Sequence, residues 1–154
     1  MKSVIKFIHL LGIILFLGSI FTFILVSALV QDKPLSDLAF GRQVIAAGMK
    51  MLTLPALWII LLSGILLGKG KWQGKYFQVK LALGLVILLN AHFVIADAVL
   101  HASRLAAGAS VTGVLSPDYL LAYTKESVMG AVNVLLALFA MGYALRTKGQ
   151  TELT

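Results

Sequence analysis

The 154-residue sequence contains no cysteine, which excludes disulfide bonds, thiolate metal sites and thiol redox catalysis. It is also poor in charged residues, which make up 12% of the chain against about a quarter in a typical soluble domain. Hydrophobic residues make up 60%, and the mean hydropathy is +0.97. A water-soluble core of this size cannot use so much apolar surface, so the composition indicates an integral membrane protein.

The sequence also lacks the common motifs of hydrolases and nucleotide-binding proteins. It contains no HExxH motif, no glycine-rich phosphate loop and no arrangement of Ser, His and Asp that suggests nucleophilic catalysis. The formal net charge of +7 does not indicate that the protein binds nucleic acid, because the basic residues fall mainly on one side of the predicted membrane. We therefore expect the lipid bilayer, and no nucleic acid, among the partners of this protein.

Four apolar segments predict an all-α, integral membrane four-helix bundle in a single domain, residues 1–154. The predicted spans cover approximately residues 4–30, 44–67, 76–102 and 119–145. Each is longer than the ~20 residues that a helix needs to cross about 30 Å of hydrocarbon, and the alternating strands of a closed barrel are absent. The first segment exceeds the ~7–15 apolar residues of a signal peptide, so we predict a true membrane helix.

The distribution of basic residues predicts the orientation of the bundle. Lysine and arginine are concentrated before the first span, between the second and third spans, and after the fourth; they are Lys2, Lys6, Lys69, Lys71, Lys75, Arg146 and Lys148. The positive-inside rule then places both termini in the cytoplasm, and we predict a multi-pass protein of the bacterial inner (cytoplasmic) membrane. At the opposite face, Ser116–Pro117–Asp118 predicts the start of the fourth helix, with a serine cap and a proline in the first turn.

Ionisable residues within the predicted spans are the main indication of function, because charge in hydrocarbon costs several kcal/mol. Counted in residues from the cytoplasmic ends of their spans, His9 and Lys80 lie at the same depth, near the cytoplasmic surface. His92 lies about 12 residues beyond Lys80, or roughly 18 Å further out, in a second polar layer. The other members of that outer layer are Lys50, Asn90, Asp97, His101, Lys125 and Glu126.

The spacing of these residues limits the sites that they can form. Asp97, His101 and Arg104 share one helical face with Asn90 a heptad before them, which predicts a polar stripe that faces inward. His92 and His101 fall on opposite faces, so they cannot bind one small metal ion together. His9 and His92 differ too much in depth to be the two axial ligands of one haem, whose nitrogens lie about 4 Å apart across the iron.

Less specific roles stay open for most of these residues. His9 is either a ligand or a neutral interfacial histidine, and Lys80 is either a site residue or a side chain that snorkels to the headgroups. His101, Lys125 and Glu126 fit a solvated outer surface, and Asp97 fits a local ion pair. Met49 and Met51 offer soft ligands to copper(I) or haem iron, although methionine in an apolar span is usually core. Gly64 and Gly68 form a small-xxx-small pair, which indicates close packing within the bundle or a homo-oligomer.

Three segments carry a resemblance to known membrane families. The sequences IKFIHLLGIILFLGSIF and YFQVKLALGLVILLNAH resemble the first and third helices of the HemJ-type protoporphyrinogen oxidases. The sequence LPALWIILLSGILL resembles the second helix of CopD-like membrane domains. The resemblance implies that His9 and Lys80 are haem-site residues, with His92 as a third candidate.

The leading hypothesis is therefore an inner-membrane protein with one b-type haem that serves electron or proton transfer or porphyrinogen oxidation, with a redox or membrane-protein partner. The iron would be held unequally, with His9 as its one good ligand. Lys80 would pair with a haem propionate or act as a weak ligand. His92 with Asp97 would transfer protons. One alternative is a copper-handling element built on His92, Asp97, Met49 and Met51. The other is a non-catalytic scaffold subunit in which every ionisable residue is structural.

Overall fold

The computed structural model describes residues 2–69 and 74–151, and in this part of the chain every regular element is helical. Four long helices follow one another: α1 Lys2–Val30, α2 Leu35–Leu67, α3 Lys75–Thr112 and α4 Pro117–Thr151. All four are long and apolar enough to cross a membrane. The all-α, four-helix prediction is confirmed. Lys71, which contributes to the predicted orientation, lies outside the described residues.

The second helix begins earlier than the sequence predicts. A start at residue 44 follows from hydropathy, but α2 begins at Leu35, directly after Pro34 in an extended conformation (φ −50°, ψ 151°). Asp37 lies in its first turn, where a carboxylate interacts favourably with the helix dipole. Arg42 is consequently a helical residue and not part of a loop.

The third helix is also longer than predicted, and it runs to Thr112. Gly113 ends it with a positive φ of 75°, which glycine adopts at little cost. The Ser116 hydroxyl then accepts a hydrogen bond from the Asp118 backbone N–H at 3.2 Å, which confirms the predicted start of α4. At 1.5 Å per residue, the 38 residues of α3 span about 57 Å, well beyond ~30 Å of hydrocarbon.

The short connections make neighbouring helices antiparallel, which gives the bundle two distinct ends. We call the end with residue 2, residues 69 and 74–75, and the C-terminal part of α4 the proximal end. The end with the turns at residues 31–34 and 113–116 is the distal end. The distal parts of α2 and α3 pack on each other around a small cluster of Leu38, Ala39 and Ala106.

The main core lies between α2 and α3, with one flanking helix on each side. α1 packs along α2, and α4 packs along α3, whereas the described parts of α1 and α4 barely approach each other. Phe16, Ile45, Leu57, Ile87 and Val99 are among the buried residues that fill the centre. The bundle is therefore open along one side, between its first and last helices.

Two π-helical segments interrupt the regular helices, Met49–Thr53 in α2 and Asn90–Ile95 in α3. A π-helical turn contains one residue more than an α-helical turn and occurs frequently at functional sites. The first segment ends two residues before Pro55, which has no N–H and whose ring would clash with the carbonyl of Met51 in a regular α-helix. The second has no proline beside it, and it contains Asn90, whose side chain bonds to α4.

Close packing of α1 on α2 depends on Gly12. A Cβ at this residue would lie 3.0 Å from Ile60 Cγ1, 3.1 Å from Ile59 Cγ2 and 3.3 Å from the Ala56 carbonyl. We expect Gly12→Leu to force α1 away from α2 and to destabilise the bundle by about 1–3 kcal/mol. Thermal unfolding in detergent measures this loss. Gly18→Leu in the same helix is the control, because a Cβ there meets nothing within 4 Å, and an equal loss in both variants would contradict the packing argument.

Candidate functional site

The open side of the bundle contains a groove of about 390 Å³ between α1 and α4. Both π-helical segments contribute to its floor through Met49, Thr53, Ala91 and Ile95. On the α1 side its lining runs from Phe16 to Gln31, the residue that follows the helix, which at 1.5 Å per residue corresponds to about 22 Å. The remaining apolar lining residues are Ile20, Phe23, Ile24, Ala28, Ile45, Val99, Gly130, Ala131 and Val134.

The groove opens sideways, to the outside of the bundle. Ile24 is 60% exposed although it lines the groove, and Ala28, Ser127 and Ala131 are also exposed lining residues on its two rims. This lateral opening follows from the packing, because α1 and α4 are held by α2 and α3 and hardly contact each other. A molecule can therefore reach the groove from the side of the bundle.

A buried ion pair closes the distal end of the groove. Arg42 of α2 bonds to Glu126 of α4 through Nη2 and Oε2, and the two side chains are 0% and 15% exposed. Nη1 of Arg42 also lies 3.4 Å from the Ser27 hydroxyl of α1. The rings of Tyr119 and Tyr123 flank the guanidinium, with centroids 6.0 and 5.7 Å from Cζ, respectively. One arginine thus connects α1, α2 and α4, and Ser27, Tyr123 and Glu126 line the groove.

A second group of polar side chains lies deeper in the bundle. Asn133 lines the groove, is 2% exposed, and donates to the Ile87 carbonyl at 3.1 Å. Its amide oxygen accepts from Asn90 Nδ2 at 2.8 Å, which joins α3 to α4. On the other side, Ser19 and Thr53 share a hydrogen bond of 2.8 Å, which joins α1 to α2. Buried polar groups that are bonded in this way fix the register of neighbouring helices.

His9 and Lys80, predicted to share a layer, do lie in one region near the proximal end. The His9 imidazole is half-buried, with Nδ1 2.9 Å from the Ser63 hydroxyl, and the Lys80 charge is within electrostatic range of it. With Ser63 donating to the Ile59 carbonyl, the matching tautomer of His9 donates from Nδ1 to the Ser63 oxygen and keeps a lone pair on Nε2. Lys80 Nζ lies 3.5 Å from the Tyr76 hydroxyl and 5.3 Å from the centroid of its ring.

His92 and Asp97 lie apart from both regions, on the exposed surface of α3. His92 packs edge-on against Phe93, with ring centroids 5.1 Å apart. Asp97 pairs with Lys125 at 3.4 Å, and the two side chains are 63% and 49% exposed. His101 is exposed as well.

The prediction of one inward-facing polar stripe on α3 is therefore wrong. Asn90 faces inward, but Asp97, His101 and Arg104 are exposed. The reason is the π-helical segment Asn90–Ile95, whose extra residue per turn shifts every following side chain around the helix axis. Heptad counting across this segment fails.

Of the predicted metal and haem ligands, His9 and Lys80 lie in one region and the others are dispersed. Met49 is buried in the groove wall, whereas Met51 is 74% exposed, so the copper set of these two residues with His92 and Asp97 is dispersed. Among the described residues, no group of three or more His, Cys, Asp and Glu side chains could hold a metal ion. None of the three histidines lines the groove, and His92 does not join His9 and Lys80.

The sequence did not predict that Arg42 and Glu126, at the distal end of the groove, form a pair. Arg42 precedes the predicted second span, and Glu126 fits a solvated surface beside Lys125, so neither indicates a buried pair. One signal in the sequence could have indicated the pair. Arg42 and Glu126 have opposite charges and follow the two distal turns by a similar number of residues, so they lie at a similar depth in the bundle. Comparisons with protein-family models, with curated proteins and with solved structures found no match to this chain, so the resemblance to HemJ-type and CopD-like proteins stays a prediction.

The Arg42–Glu126 pair predicts a strongly non-additive mutant cycle. Arg42→Met should cost about 3–5 kcal/mol, because it leaves the Glu126 carboxylate buried without a partner. The double variant Arg42→Met/Glu126→Met should recover most of this loss, since both charges are then removed. Unfolding in detergent measures each step. Lys125→Met is the matched control, expected within about 1 kcal/mol because its ion pair is exposed, and additive losses would contradict the assignment.

Proposed function

We propose that this chain is an integral membrane protein whose groove between α1 and α4 binds one lipid-like molecule with a single apolar chain and a polar head. The observation that carries the proposal is the groove itself, which is apolar along most of its length and polar at its distal end. Its volume of about 390 Å³ falls within the range of ~300–1,000 Å³ that is usual for ligand sites. Its shape favours an elongated ligand.

The outer surface of the bundle supports a location in a bilayer. Large apolar side chains are exposed on the outside of all four helices, for example Phe21 at 67%, Phe93 at 67% and Leu135 at 65%. In water such a surface would be a large hydrophobic patch, whereas in hydrocarbon it costs nothing. The lateral opening of the groove then faces the lipid chains, so the ligand enters from within the membrane.

The distribution of charge supports an orientation for this site. Lys2, Lys6, Lys69 and Lys75 lie at the proximal end, and the acidic residues of the described chain lie toward the distal end. By the positive-inside rule the proximal end and both termini face the cytoplasm of a bacterial inner membrane, and the polar head of the ligand lies in the outer leaflet.

Gly130 allows the groove to be filled without disturbing the bundle. It lines the groove, and a Cβ at this residue meets nothing within 4 Å. Gly130→Leu should therefore place its side chain in the ligand's space and reduce the bound lipid-like molecule at least tenfold from roughly one per chain, while helicity is kept or improved. Mass spectrometry of organic extracts from purified protein, with circular dichroism alongside, measures both effects.

Gly142→Leu is the matched control in the same helix. A Cβ there also meets open space, but Gly142 does not line the groove. This variant should keep the bound molecule. Equal retention of the molecule by both variants would overturn the proposed site.

A second candidate function rests on His9. Its Nδ1–H is held by Ser63, which fixes the ring and leaves Nε2 as a basic ligand, the arrangement usual for metal-bound histidine. His9 would hold a b-type haem as its one strong ligand, and Lys80 would pair with a propionate. Such a haem supplies one-electron chemistry when bound. His92 and Asp97, the predicted proton-handling pair, lie on the exposed surface and do not contact this region.

Absorption spectra test this second function directly. Protein purified from haem-replete cells should then show a Soret band that shifts on reduction, and His9→Ala should abolish it. His101→Ala is the control and should leave the band unchanged, because His101 is exposed near the distal end. A wild-type protein without a Soret band would rule out the haem function.

A further inference from the structure

The distal end of the groove offers unused hydrogen-bonding groups to a ligand. Glu126 bonds to Arg42 through Oε2, and its second oxygen, Oε1, has no partner among the described residues. The hydroxyl of Tyr123 likewise makes no hydrogen bond within the described part of the chain. Both side chains line the groove one helical turn apart on α4. A ligand head placed between them therefore meets one acceptor, Glu126 Oε1, and one group, the Tyr123 hydroxyl, that donates or accepts.

We propose that the polar head of the ligand is a neutral hydroxyl, as in a long-chain alcohol, and that it donates to Glu126 Oε1 and accepts from the Tyr123 hydroxyl. One hydroxyl has one donor and two acceptor sites, so it satisfies both groups at once. This inference rests on the proposed function, because it identifies the head of the molecule bound in the same groove.

The charge of the site argues against other head groups. Arg42 is fully buried and compensated by Glu126, so the pair is neutral as a unit. A phosphate or carboxylate head would meet the negative Glu126 at close range, where like charges repel strongly because the surroundings are apolar. An ammonium head would compete with Arg42 for Glu126 and leave a buried guanidinium without its counter-ion.

A head that only accepts hydrogen bonds also fits poorly. The carbonyl of an ester or the oxygen of an ether would bring its lone pairs toward Oε1, which can only accept from a donor. The carboxylate would lose solvation without gaining a hydrogen bond, and an unmatched buried charge is costly. A hydroxyl is a simple neutral head that supplies the missing donor and also accepts from Tyr123.

The direction of the chain follows from the lining of the groove. On the proximal side of Glu126, the groove lining on α4 consists of small or medium side chains at Gly130, Ala131 and Val134, which leave room for an apolar ligand chain along the helix. On the opposite wall Phe16, Ile20 and Phe23 supply apolar surface. With its hydroxyl at the distal end, the ligand extends its chain along the groove toward the middle of the bundle.

Three probes with the same chain and different heads test this inference: hexadecan-1-ol, its methyl ether and hexadecanoate. Native mass spectrometry of the full-length protein in detergent measures their binding at neutral pH. The alcohol should bind at least about tenfold more tightly than the ether, since a charge-assisted hydrogen bond is lost in the ether. Hexadecanoate should bind no better than the ether, because of the charge on Glu126.

Variants assign the preference to the two side chains. Tyr123→Phe should weaken the binding of both the alcohol and the ether about 2–10-fold, because either oxygen accepts from the Tyr123 hydroxyl, and it should leave the alcohol-to-ether ratio nearly unchanged. Tyr119→Phe is the matched control, because Tyr119 also flanks Arg42 but does not line the groove. Glu126→Gln should reduce the alcohol-to-ether ratio, because the charged acceptor of the alcohol hydrogen is lost. If Glu126→Gln folds poorly, Tyr123→Phe and the three probes on the wild-type protein still test the proposed head.

The outcomes separate the two proposals. Equal binding of alcohol and ether, both abolished by Gly130→Leu, would overturn the hydroxyl head and leave the groove as the binding site. Tighter binding of hexadecanoate would also overturn it. Binding of all three probes that is insensitive to Gly130→Leu would instead overturn the proposed function itself.

Discussion

The buried ion pair between Arg42 and Glu126 is the constraint around which the distal half of this bundle is arranged, because neither charge is tolerated there without the other. Because α1 and α4 barely approach each other, the open side of the bundle is bridged by a side chain from another helix. Arg42 does this from α2, by bonding to Glu126 on α4 and approaching Ser27 on α1. Because an uncompensated charge in this environment is costly, the pair also fixes how far the helices can separate.

The two π-helical segments determine what the groove presents to a ligand. Both contribute to the floor, where Met49, Thr53, Ala91 and Ile95 line it. Each adds one residue to a turn, so the side chains that follow are rotated relative to a regular helix. In α3 this rotation leaves Asn90 inside, bonded to Asn133, and moves Asp97 to the surface. Local backbone geometry thereby decides which polar residues belong to the interior.

The placement of polar groups changes the interpretation of the ionisable residues. Charge within apolar helices indicates function by default, yet His92 and Asp97 are exposed, His92 against its neighbour Phe93 and Asp97 in a surface ion pair with Lys125 of α4. Among the described residues the fully buried charge is Arg42, and Glu126, which is 15% exposed and lines the groove, compensates it. A neutral ligand with a hydrogen-bonding head fits such a site better than a metal ion or a charged substrate, because the site has no net charge to offer.

The sequence by itself determined the four apolar helices, because a run of more than ~20 apolar residues needs no knowledge of its neighbours to be identified. It also determined the cap at Ser116 and the proximity of His9 to Lys80, both of which follow from short-range counting along regular helices. Only the tertiary structure decided that Arg42 and Glu126 are buried together and that Asp97 is not. The physical reason is that burial depends on which helix lies opposite, and that two π-helical turns break the periodicity from which a buried face is predicted.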